Sequence, residues 1–300
     1  MRGLVFIALS ALACGAEPID PAPVTANPTG LLAEPASGRQ VVTESRTIAA
    51  GREQTYCYYV DLHADAPIDV VAFETAHAGP LHHFNVFAST LEPPEGFAAC
   101  PDSIDLFVGA RPILDGSGSD VRYVFPGDVA FRLEPGTRLI FQLHWINATP
   151  APQESKYVVN LVTRPELVDP VLADVYGFSH FGLEIPAHSK ATFEKGCRVD
   201  DPMRILSMSA HFHARGTEAV GVVQRKSGEN ERVYSTDRWD DPLVASFDPP
   251  LTVSPDDVLS FSCAYDNRDD HVVKYGPKAD DEMCFMFGYY TPRRGLWPCL

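Results

Sequence analysis

From residue 41 onward, apolar and polar positions alternate in short runs rich in Val, Phe, Tyr and Ile, at 55–60, 70–73, 85–88, 138–145, 157–163, 220–224 and 258–264. A period of two turns one face of a strand inward and leaves the other polar. Pro, Gly, Asp and Asn separate the runs, and no stretch carries the apolar spacing of a long helix, so the pattern predicts an all-β, sandwich-like fold. At 300 residues the chain suits two sandwiches better than one. Pro165 and Pro170 bracket the best junction, which predicts one unit over 41–165 and another over 166–300.

The start of the chain reads differently. Met1-Arg2, an apolar run and the small residues before Cys14 have the charge, core and exit of a secretory signal over 1–14. Ala11-Leu12-Ala13-Cys14 is similar to a bacterial lipobox, with Ala11 where leucine is usual. Acylation of Cys14 would give an envelope lipoprotein, and ordinary cleavage nearby a soluble secreted protein. Residues 15–40, rich in Pro, Ala and Thr, predict an extended tether. No later apolar run approaches the roughly 18 residues of a membrane span, so membrane contact would come only through a lipid at Cys14.

Aspartate and glutamate outnumber lysine and arginine 40 to 24, a formal charge of -16 that argues against binding a nucleic-acid backbone. Seven cysteines in an exported chain leave one odd, and Cys14 is the natural one; the other six suffice for three disulfides.

Of the ten histidines, His63, His77, His180, His188 and His271 read as surface or satisfied residues. His82-His83 opens an apolar strand after Gly79-Pro80. Neighbours on a regular strand face opposite ways, so joint ligation by this pair needs an irregular backbone. His211-Phe212-His213 can project both imidazoles from one face, or can be two solvated histidines. His144 sits on a strand that reads as buried, where an imidazole needs partners for both nitrogens. Met283 alone would be core filler. Taken together, imidazoles plus a thioether favour redox copper over zinc, because methionine sulfur is a soft ligand that suits Cu(I).

In order and spacing these segments resemble the copper type II, ascorbate-dependent monooxygenases, the family of peptidylglycine alpha-hydroxylating and dopamine beta-monooxygenases. The resemblance runs from about Thr55 to Tyr290. It rests on Thr55-Tyr56-Cys57, His82-His83, Gln142-Leu143-His144-Trp145, Ser209-Ala210-His211-Phe212-His213, and Asp281-Glu282-Met283-Cys284. It implies two tandem antiparallel jelly-roll-like β-sandwich domains that face each other across a solvent-filled cleft, with one copper in each. His82, His83 and His144 would hold the electron-storing ion. His211, His213 and Met283 would form the catalytic site, which meets O2 and substrate, and Gln142 would lie near the path between them. It further implies the pairings Cys57–Cys100, Cys197–Cys299 and Cys263–Cys284, which the sequence alone leaves open.

The implied activity uses ascorbate as reductant and places one oxygen atom of O2 on a substrate carbon, the other leaving as water. Ser209 stands where peptide-amidating relatives carry an arginine, so a peptide carboxylate loses its clamp. Phe285, Met286 and Phe287 then predict an apolar wall and a small apolar or aromatic substrate. Two other readings compete. One is a copper-binding or copper-relay lipoprotein without catalysis. The other is a zinc hydrolase, against which stand Met283 and the lack of an evident carboxylate base beside the histidines.

Overall fold

A computed structural model describes residues 31–90, 95–101, 106, 109–117 and 120–299. Cys14, the signal-like segment and most of the expected tether lie outside the described residues. Each of the seven alternating runs falls inside a strand, and the architecture is all-β with predominantly antiparallel, sandwich-like sheets. Order begins earlier than the tether expectation placed it. Leu32 is buried against Ala76 and Val158, and the strand Gly38–Val42 pairs with Gln153–Thr163. Among the described residues, no helix is long and apolar enough to cross a membrane.

Two sheets dominate the first half. A five-stranded sheet has Arg138–Asn147 at its centre, flanked by Arg52–Asp61 and Leu81–Ser89. Alternation on the central strand sends Leu139, Phe141, Leu143 and Trp145 into the largest core, while Ile140, Gln142 and His144 face the other way. That second face is part apolar, with Cys57, Tyr59, Phe87 and Ile140, and part polar.

The second sheet continues into the second half. Val129–Leu133 pairs in parallel with Val171–Ser179, which then pairs with Phe285–Thr291, itself paired with Met203–His211. The core follows the same path. Tyr289 packs against Tyr123 and Phe125 at ring separations of 4.6 and 4.9 Å, and its hydroxyl donates to the Ile113 carbonyl. Phe73 and Phe131, both fully buried, complete this cluster, and each such side chain contributes roughly 2 kcal/mol on burial. A four-stranded sheet built on Ser189–Arg198, Val258–Asn267, Gly216–Gln224 and Asn230–Thr236 covers the second half's own core.

The structure forms the bridges Cys57–Cys100, Cys197–Cys299 and Cys263–Cys284. Three disulfides fit an exported protein in an oxidising setting. The resemblance implied an open cleft between halves; here one sheet and one aromatic core join them.

Candidate metal centre

His144 and His83 are registered partners on neighbouring strands, which brings their side chains together on the face turned from the main core. His82 joins them through a bulge. Trp145 pairs with Leu81 while His144 pairs with His83, so His82 is the extra residue. Leu81 and Phe84 therefore both enter the main core, and both histidines between them face away from it. Gly79 makes the entry possible: its φ is +84°, and a Cβ there would stand 2.3 Å from the Glu154 carbonyl oxygen.

The three Nδ1 atoms converge, with His83 Nδ1 3.2 Å from that of His82 and 3.3 Å from that of His144. Three lone-pair nitrogens this close repel unless a cation lies among them. Metal–imidazole bonds of about 2.0 Å in tetrahedral array place ligand atoms at about this spacing. Burial drives all three imidazoles toward the neutral form, His82 to a pKa of about 4 and His83 well below its usual value. Neutral imidazole is the form that binds metals.

His211 ends its strand, and His213 lies in the turn that follows, with Phe212 fully buried between them. The buried Glu282 carboxylate accepts from the backbone N–H of His213 and of Arg215 at 2.9 and 2.8 Å, which fixes this turn. His213 Nδ1 donates to the Asp281 carbonyl at 2.8 Å, and its buried Nε2 has no hydrogen-bond partner among the described residues. A buried nitrogen with its lone pair free and its ring oriented from behind suits a metal ligand. The rings of His211 and His213 are 5.2 Å apart, and burial lowers both pKa values.

The two groups touch. The His83 and His211 rings are 5.1 Å apart, and one cavity of about 50 Å³, room for a few waters, runs between the halves. Its floor is the polar face of the five-stranded sheet, where Asp115, Asn85 and Gln142 lie side by side in register. Asn85 Nδ2 donates to Gln142 Oε1 at 3.1 Å. Asp115 has no hydrogen-bond or ion-pair partner among the described residues, and desolvation pushes its carboxyl well above the usual range. The opposite side is Tyr275, Pro277, Met283 and Phe285 with His211.

The expected apolar wall is narrower than the sequence predicts. Strand alternation turns Met286 into the second core, leaving Phe285 on the cavity with Phe287 stacked beside it. Met283 and Phe285 share the cavity side because Cys284 between them is turned inward to its disulfide with Cys263.

A carboxylate does stand beside the histidines, against the sequence expectation. Glu53 Oε1 accepts from His144 Nε2 at 2.9 Å. Glu53 shares a strand face with Thr55, the registered partner of His144, and this is visible only once the strand pairing is known. Asn85 and Gln142, each two residues from a histidine, carried a period-two signal; Asp115 carried none.

The remaining histidines differ in surroundings. His63, His77, His188 and His271 lie beside carboxylates at the surface, whereas His180 packs on Phe193 with its Nδ1 buried and without a hydrogen-bond partner among the described residues. Asp269, His271 and Asp280 also lie close enough to hold a cation, but the Arg215 guanidinium already pairs with both aspartates.

The profile of the copper type II ascorbate-dependent monooxygenase C-terminal domain matches residues 173–300. A human protein named DBH-like monooxygenase protein 2 is 25% identical over 245 residues, which cover 73% of this chain. The chain spans about half, 48%, of that relative's length. Among solved structures, VP54 of PBCV-1 aligns over 86% of this chain and 95% of its own at 9% identity and a TM-score of 0.27. The PBSX exported protein XepA aligns over 91% and 99% at 7% identity and a TM-score of 0.22. The family profile over the second half, and a monooxygenase relative that aligns across most of the chain, support the copper type II ascorbate-dependent monooxygenase family for this protein.

Proposed function

We propose that this chain hydroxylates a C–H bond of a small apolar or aromatic substrate, using O2, ascorbate and two copper ions. His82, His83 and His144 would hold one ion, within 41–165, and His211, His213 and Met283 the other, within 166–300. Bound copper supplies the one-electron chemistry by which ascorbate's electrons reach O2. The observation that carries the reading is the convergence of three Nδ1 atoms beside a cavity shared with His211 and Met283.

The chain's own residues do the rest. Glu53 and the Asp281 carbonyl hold the outward nitrogens of His144 and His213, which orients the opposite nitrogens. Phe285, Tyr275 and Pro277 offer an apolar surface to the substrate, and the contact between halves limits water to a small volume. Gln142 and Asn85, bonded to each other, fix the polar floor between the two groups.

The test counts copper in the purified chain and follows O2 uptake with ascorbate. Two ions per chain and substrate-dependent uptake are expected. Met283→Ala should lose one ion, keep the other and abolish coupled turnover. Copper bound without any O2 uptake would replace this reading with a copper-binding or relay role, and loss of both ions from Met283→Ala would overturn the ligand division.

A further inference from the structure

Glu53 makes two contacts with one oxygen. Its Oε1 accepts from His144 Nε2 at 2.9 Å and from the backbone N–H of Ala279 at 3.2 Å. His144 belongs to the first histidine group. Ala279 lies in the turn 276–283, which ends at Met283. Glu53 is distant from this turn in sequence, and its carboxylate therefore joins the two groups across the boundary between halves.

On the other side the turn is tied to its own half. Gly276 N donates to the Glu282 carbonyl, and Arg215 pairs with Asp280 at 2.8 Å. Glu53 is a contact of this turn with the strand layer that bears the first group, and it meets that layer at a histidine ring. Donation to Glu53 places the ring proton of His144 on Nε2 and leaves the Nδ1 lone pair facing His83.

We propose that Glu53 is a positioning residue that does two jobs: it raises the donor strength of His144 toward the first metal, and it clasps the Met283 turn against that group. This rests on the copper reading above. A carboxylate accepting from the outer nitrogen of an imidazole makes the inner nitrogen a stronger donor, which favours Cu(II) over Cu(I). The second job needs no metal. An amide held by a carboxylate exchanges with solvent more slowly than a free one.

Two measurements on the full chain test the two jobs. In the metal-free protein, hydrogen exchange at the Ala279 amide should quicken by about tenfold in Glu53→Ala, the effect of losing one charge-assisted bond. Exchange elsewhere in the first-half sheet should hold. In the copper-loaded protein, redox titration followed by electron paramagnetic resonance reads each centre separately. Glu53→Gln, which keeps an acceptor but removes the charge, should raise the first centre's midpoint potential. A tenfold fall in the preference for Cu(II) corresponds to 59 mV for a one-electron couple. The second centre's potential should stay put.

An unchanged Ala279 exchange rate overturns the clasp. A first-centre potential that does not move, or a shift shared equally by both centres, overturns the electronic role. A wild-type chain that takes up no copper at the histidine trio defeats the copper reading instead, and the exchange arm then still decides the clasp on its own.

Discussion

The two histidine groups arrive at buried, neutral imidazoles by different routes. The first is written into a ladder: His144 and His83 are registered partners, and His82 is added by a bulge in the same hydrogen-bonded sheet. The second sits where a strand gives out. His213 lies in a turn held by the Glu282 carboxylate, and Met283 reaches the cavity next to the Cys263–Cys284 bridge. Geometry in the first group is shared among many backbone bonds, whereas geometry in the second depends on a few contacts between residues distant in sequence. The second group should therefore be removable alone, and the first only through its bulge.

The largest effect should come from replacing Cys263 and Cys284 with serine. The bridge closes a separation of 21 residues, and removing it should cost about 3 kcal/mol of folding stability. Thermal melts read that loss, and a copper count should show the second ion gone with the first retained. If both ions leave together, the two groups are one cooperative structure and the contrast drawn above is wrong.

Next in size is Gly79→Ala. A left-handed φ and a Cβ 2.3 Å from the Glu154 carbonyl oxygen should cost about 1–3 kcal/mol. The entry to the bulge would shift, and with it His82. Competition titration with a chelator should show weaker binding at the first group and unchanged binding at the second. Equal weakening at both would mean that the contact of His83 with His211 transmits the strain.

These sites show what a sequence discloses and what it withholds. Period-two alternation marks strands such as Gly216–Gln224 because half-burial is a local property, readable from a few neighbours. The need for an irregular backbone at His82-His83 also follows from local geometry, with Gly79-Pro80 as its sign. Pairing is not local. The parallel ladder between Val129–Leu133 and Val171–Ser179, which joins the two halves in one sheet, leaves no mark on either segment. Glu53 and Asp115 fall in the same class, since each acquires its role from a strand partner far away in the chain. The wall at 285–287 is narrower for a simpler reason: an apolar triplet on a strand must send its middle residue to the opposite face.

The smallest expected effect concerns Asp115, and it separates the polar floor of the cavity from its apolar roof. Asp115 lines the cavity beside Asn85 with no ion-pair partner among the described residues, and desolvation raises its pKa. Tyr157 and Tyr289, which it influences, are themselves pushed upward and stay neutral below pH 8. In the metal-free native state Asp115 should hold its proton to higher pH than the unfolded chain, which releases it near pH 4. Its contribution to stability is thus complete below that pH and declines as pH rises toward the folded-state value. Asp115→Asn removes the decline. Denaturant titrations from pH 4 to 8 should give a shallower fall in stability for the variant and equal stabilities near pH 3. A parallel pair of curves would mean that Asp115 stays ionised in the folded protein. The floor would then carry a full negative charge, and a substrate would have to meet that charge beneath Phe285 instead of a neutral acid.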